Sequence, residues 1–76
     1  MIACDVEATF SSDGTPRPQK VFWDEAWLPV EDTGRRWASD AGRHVLTRVS
    51  DGRVFELVYD GMRWQGQIVS APPGYA

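Results

Sequence analysis

His44 and Cys4 are the only histidine and the only cysteine in the chain, so the side chains best suited to nucleophilic or metal chemistry come singly. A structural zinc site asks for about four nitrogen or sulfur ligands; one of each cannot supply them, and neither a metal nor a cofactor is expected. Glu56 has the residue type of a general base, but its strand places it near Thr47 and Arg63, where pairing is the expected role. Asp24-Glu25 and Glu31-Asp32 are adjacent carboxylates. Neighbours on a strand point to opposite faces, so neither pair forms an acid–base dyad. Ser11, Ser12 and Ser39 lack the glycine-flanked elbow of a nucleophilic serine. The glycines are spaced as turns, not as a phosphate loop. No catalytic residue is assigned, and the chain is read as a non-enzyme.

Contact chemistry remains. Arg35-Arg36-Trp37 joins two guanidinium groups to an indole, and tryptophan and arginine are the commonest interface hot spots. Two classes of function follow. The first is a protein-binding module that docks a partner or a second copy. The second is a small nucleic-acid-binding β-barrel, with Arg35, Arg36, Arg43, Arg48 and Arg53 on phosphates and Trp37 stacked on a base. A net charge of −3 disfavours the second, because phosphate affinity rests on a basic face. A protein partner or homo-oligomer is the expectation.

The elements that position these residues are read from "SDGRVFELVYDGMRWQG", Ser50 to Gly66. Asp-Gly between alternating apolar runs signals a two-residue hairpin turn. Turns at Asp51-Gly52 and Asp60-Gly61 predict a three-stranded meander over 43–50, 53–59 and 62–69. Two-residue loops set Val45 against Val58, Leu46 against Leu57, His44 against Tyr59, Leu57 against Trp64 and Phe55 against Gly66. Alternation then gives a core face of Leu46, Phe55, Leu57, Tyr59, Met62, Trp64 and Ile68. The opposite face carries Val45, Val49, Val54 and Val58, an apolar patch that, with Arg35, Arg36 and Trp37, is the expected partner-binding surface. His44 is expected to pack beside Tyr59.

Elsewhere, "IACDVEATF" alternates strictly and reads as a half-buried strand. "SSDGTPRP" is a loop. "QKVFWDEAWLPVED" is a hairpin turning at Asp24-Glu25, with Trp23 and Trp27 flanking the turn and Pro29 at an edge position. "TGRRWASDAG" has no clear period and allows at most a helical turn. The expectation is an all-β fold: a small curled antiparallel sheet or SH3-like barrel of about six strands, with residues 1–70 as one domain and 71–76 as a flexible tail. Nothing resembles a secretory leader or a membrane span, and with its lone cysteine the chain is expected to be cytoplasmic.

"VFWDEAWLPVEDTGRRW", "GRHVLTRVSDGRVFELVYD" and "MRWQGQIV" together resemble a group of short, uncharacterised bacterial proteins, a domain of unknown function. The matching residues are Phe22, Trp23, Arg36, Trp37, His44, Leu46, Phe55, Glu56, Leu57 and Trp64. Asp24-Glu25 stands where that group carries Gly-Arg, which takes away a basic reversal. The resemblance implies a small β fold and brings no catalytic residues.

Overall fold

A computed structural model of the chain describes residues 1–72. Among them are seven strands and no helix: β1 (Ile2–Ala3), β2 (Val6–Phe10), β3 (Pro16–Trp23), β4 (Ala26–Ser39), β5 (Gly42–Val49), β6 (Val54–Tyr59) and β7 (Trp64–Ser70). All pair antiparallel, in the order β1-β7-β6-β5-β4-β3-β2. The sheet curls strongly into a half-barrel. The N-terminal segment bends at Cys4-Asp5 and reaches both sheet ends: the Cys4 N–H donates to the Trp64 carbonyl, and the Phe22 N–H to the Asp5 carbonyl. No helix among the described residues is long and apolar enough to cross a membrane.

The expected irregular segment 33–42 is instead the second half of β4, 14 residues long, and its turn into β5. β4 pairs with β3 through Pro29 and with β5 from Val30 onward, with register shifts between Val30 and Asp32 and between Thr33 and Arg36. Such bulges bend and coil a strand. Pro29 sits at the handover between the two partners, and its carbonyl accepts the Ser50 N–H.

The meander forms in another register. At the first reversal the Gly52 N–H donates to the Val49 carbonyl, the Val49 N–H donates to the Arg53 carbonyl, and Gly52 has φ 92°. This is a three-residue loop ending in a left-handed glycine. One extra residue moves every β5–β6 pair by one: Val45 faces Leu57 and Thr47 faces Phe55. At the second reversal Asp60 Oδ1 accepts the N–H groups of Met62 and Arg63, and the strands resume at Tyr59 and Trp64. Here the slip is two residues, so side-chain parity between β6 and β7 is kept. Gly66 faces Leu57, not Phe55.

These shifts rebuild the core. It consists of Val21, Val45, Val49, Phe55, Leu57 and Trp64, with Trp23, Leu28, Val30 and Tyr59 packed against it. Leu46, expected inside, lies on the other face and is half-buried. Met62 is a loop residue, 86 % exposed, and Ile68 is also exposed. The anticipated tail lies beyond the described residues from 73 onward. Pro72 is close to Gly52, where an added Cβ would come within 3.2 Å of its ring.

Candidate functional site

The expected valine patch does not form. Val45 and Val49 are 1 % and 0 % exposed in the core. Val54 and Val58 lie on the opposite face, where Val58 is buried and Val54 half-buried. The one-residue slip at Gly52 separates the four side chains.

Arg35-Arg36-Trp37 lies within β4, not in a loop, and alternation divides it between two faces. The Arg35 guanidinium lies 5.0 Å from the centre of the Trp37 ring. Trp37 faces His44 in register, and the two rings stack at 4.8 Å and 14°. Arg36 faces Val45 on the inner side and donates through Nη1 to the Pro16 carbonyl at 2.8 Å.

His44 heads a polar chain that residue-by-residue reading missed. It does not pack beside Tyr59; it faces Val58. Its Nδ1 lies 2.8 Å from Glu56 Oε2, and its Nε2 lies 2.6 Å from Ser39 Oγ. Glu56 Oε1 accepts the Gln67 amide at 3.2 Å. One proton arrangement serves the whole chain: Nδ1–H donates to Glu56, and Nε2 accepts the Ser39 hydroxyl. Hydroxyl, imidazole and carboxylate stand in the order used to activate a serine. Ser39 Oγ also accepts the Ala41 N–H at 3.1 Å, so the hydroxyl is part of the β4–β5 turn. Only a register with a three-residue loop at Gly52 brings His44 and Glu56 to one face; the Ser-Asp-Gly spelling of that loop was the available signal.

Of the five arginines considered for phosphate contact, two are committed elsewhere. Arg53 is buried, with Nη2 2.7 Å and Nε 2.8 Å from Asp51 Oδ2. Arg48 pairs with Asp32 at 3.8 Å. Arg35, Arg36 and Arg43 make no ion pair among the described residues. Of the remaining three, Arg35 lies on the outer face and Arg36 and Arg43 on the inner one.

The tryptophans divide as well. Trp64 is buried and Trp23 meets Phe55 edge-on at 4.9 Å. Trp27 is 48 % exposed and pairs with Phe22, its register partner, at 5.2 Å; it does not stack on Trp23. Phe22 and Trp27 wall a surface groove of about 740 Å³ that Ile2, Asp5, Asp24, Met62 and Arg63 also line. Burial, with the nearby Asp5 charge, raises the pKa of the Cys4 thiol at its floor, which keeps that thiol protonated and weakly nucleophilic. No group of three or more metal-ligating side chains occurs among the described residues.

Compared with protein-family models, curated proteins and solved structures, the chain gives no match.

Proposed function

We propose that this chain is a small non-enzymatic protein-binding module, and that its groove receives an extended apolar segment of a partner carrying a basic residue. The observation that carries this reading is the Phe22–Trp27 pair. Two large aromatic side chains, cross-strand neighbours, stand exposed on the wall of a concavity in an 8.5 kDa chain. Ile2 and Met62, 62 % and 86 % exposed, extend the apolar surface. Exposed aromatic and methionine side chains around a hollow are typical of protein contact sites.

Backbone and charge narrow the partner. Among the described residues, β1 pairs only with β7, and the Ala26–Leu28 part of β4 only with β3. Both leave strand edges to which an extended peptide can add. Asp5 and Asp24 outnumber Arg63 among the charged residues lining the groove, which favours a basic residue on the incoming segment.

Selection from a random peptide display library tests the reading. Bound peptides should alternate apolar residues and carry lysine or arginine. Trp27→Ser should weaken a selected peptide by about tenfold or more, the loss expected of a hot-spot aromatic, with the chain still folded and destabilised only by the lost Phe22–Trp27 contact, about 0.5–1.5 kcal/mol. Peptides bound equally well by Trp27→Ser would refute the groove. Concentration-dependent dimerisation abolished by Trp27→Ser would assign it to a second copy and overturn the peptide partner.

A further inference from the structure

We propose that the hollow between the start of β3 and the β4–β5 hairpin binds a small organic acid: an oxyanion group, carboxylate or phosphate, on an apolar body. It shares no lining residue with the groove above, so the two readings stand or fall separately.

Register creates this site. Arg36 faces Val45 and Ala38 faces Arg43 across the β4–β5 ladder. Alternation puts all four on the inner face, so two guanidinium groups converge on one space. Thr15 and Pro16 close one side, and Trp37 and His44 also line the hollow. The hollow measures about 380 Å³, near the small end of the roughly 300–1,000 Å³ typical of ligand sites. Its apolar surface comes mainly from Trp37 and Ala38, since Val45 and Pro16 are buried, and it stands beside a few polar groups, the usual composition of such sites.

The charges are held but not neutralised. Arg36 is fixed by its bond to the Pro16 carbonyl at 2.8 Å, and Arg43 Nη1 reaches Thr15 Oγ1 at 3.4 Å. A guanidinium has five N–H donors, so each anchor leaves others for a ligand. Neither arginine has an ion-pair partner among the described residues, unlike Arg48 and Arg53. The carboxylate whose charge couples to Arg43 is that of Asp13, and it is occupied by the Ser11 hydroxyl and the Thr15 N–H. Two like charges over one cavity repel, and an oxyanion between them removes that repulsion while accepting charge-assisted hydrogen bonds.

NMR titration of the full chain tests this with benzoate, phenyl phosphate, neutral benzamide and inorganic phosphate. Resonances of Thr15, Arg36 and Arg43 should move with the two aryl acids. Benzamide should bind about tenfold more weakly or worse, as befits a lost charged hydrogen bond. The tighter of benzoate and phenyl phosphate identifies the anionic group. Arg43→Gln, which gives up a long contact to the exposed Thr15 hydroxyl and a charge interaction with the exposed Asp13, should still fold and lose about tenfold in affinity or more, while Arg48→Gln should not. Benzamide binding as tightly as the acids, or wild-type affinity in Arg43→Gln, overturns the site. Inorganic phosphate binding as tightly as phenyl phosphate overturns the apolar part.

Discussion

His44 Nδ1 lies 2.8 Å from Glu56 Oε2, a diagonal contact between β5 and β6 with both side chains mostly shielded from water, 10 % and 16 % exposed. Glu56 thereby anchors three strands, because its other oxygen accepts Gln67 from β7. Removing the carboxylate leaves the His44 N–H and the Gln67 amide without an acceptor, and an unmet shielded donor costs about 1–3 kcal/mol. In a domain of this size each kcal/mol lowers the melting temperature by roughly 4–8 °C. Glu56→Ala should therefore melt several degrees below the wild type, and Glu56→Gln, which keeps an acceptor oxygen, should lose less. Equal melting of all three would mean that the chain of bonds contributes nothing to stability.

The turn carboxylates set the response to acid. The Arg53 side chain holds the Asp51 carboxyl below the ordinary 3.8, and the Arg63 and Met62 N–H groups do the same for Asp60. A carboxyl with a depressed folded-state pKa contributes its full stability above the unfolded value and loses it as pH falls through the folded one. Both reversals should therefore weaken only below a pH of about 3.8. Urea unfolding followed from neutral pH downward should show a declining midpoint in that acid range, and Asp60→Asn should flatten the decline. An acid limb with the same slope in Asp60→Asn would exclude this carboxylate as a source.

The strand content was legible in the sequence, and so were the hairpin at Asp24-Glu25 and the inward placement of Phe55, Leu57 and Trp64. Alternation survives local errors because each strand carries its own pattern. Loop length was not legible. Asp51-Gly52 can close a two-residue turn, or it can end a three-residue loop whose glycine alone is left-handed; both satisfy glycine at the same place. Choosing the shorter turn moved Val45 and Val49 out of the core and kept His44 from Glu56. The Arg36–Arg43 hollow was hidden for a related reason. The bulges in β4 that set the face Arg36 takes belong to its pairing with β5, a tertiary fact that segment 33–42 does not advertise.

Thr47 marks a place where the core is poorer than its position allows. It is fully buried opposite Phe55, and its Oγ1 has no hydrogen-bond partner among the described residues. An unsatisfied buried hydroxyl carries a desolvation cost of about 1–3 kcal/mol. Valine keeps the β-branched shape without the polar atom. Thr47→Val should raise the urea midpoint by an amount corresponding to about 1 kcal/mol, with the slope unchanged. A lower midpoint would mean that the hydroxyl is satisfied in solution.

Glu25 tests how the β3–β4 hairpin is specified. Trp23 faces Ala26, so Asp24-Glu25 is a true two-residue turn, and its φ angles are 49° and 64°. Both residues are left-handed, as the mirror-image type I′ turn requires. Asparagine or aspartate tolerates this geometry; glutamate does so at a cost of about 1–2 kcal/mol. The chain thus uses a glycine-free turn where geometry most favours glycine, held by the Phe22–Trp27 contact beside it. Glu25→Gly should relieve the strain but loosen the unfolded chain, for a net gain of roughly 0.5–1 kcal/mol. Glu25→Val, β-branched at a positive φ, should do the reverse and lower the melting temperature. If the glycine variant melts no higher than the wild type, the left-handed pair is not strained, and the ring contact alone does not explain how the turn is held.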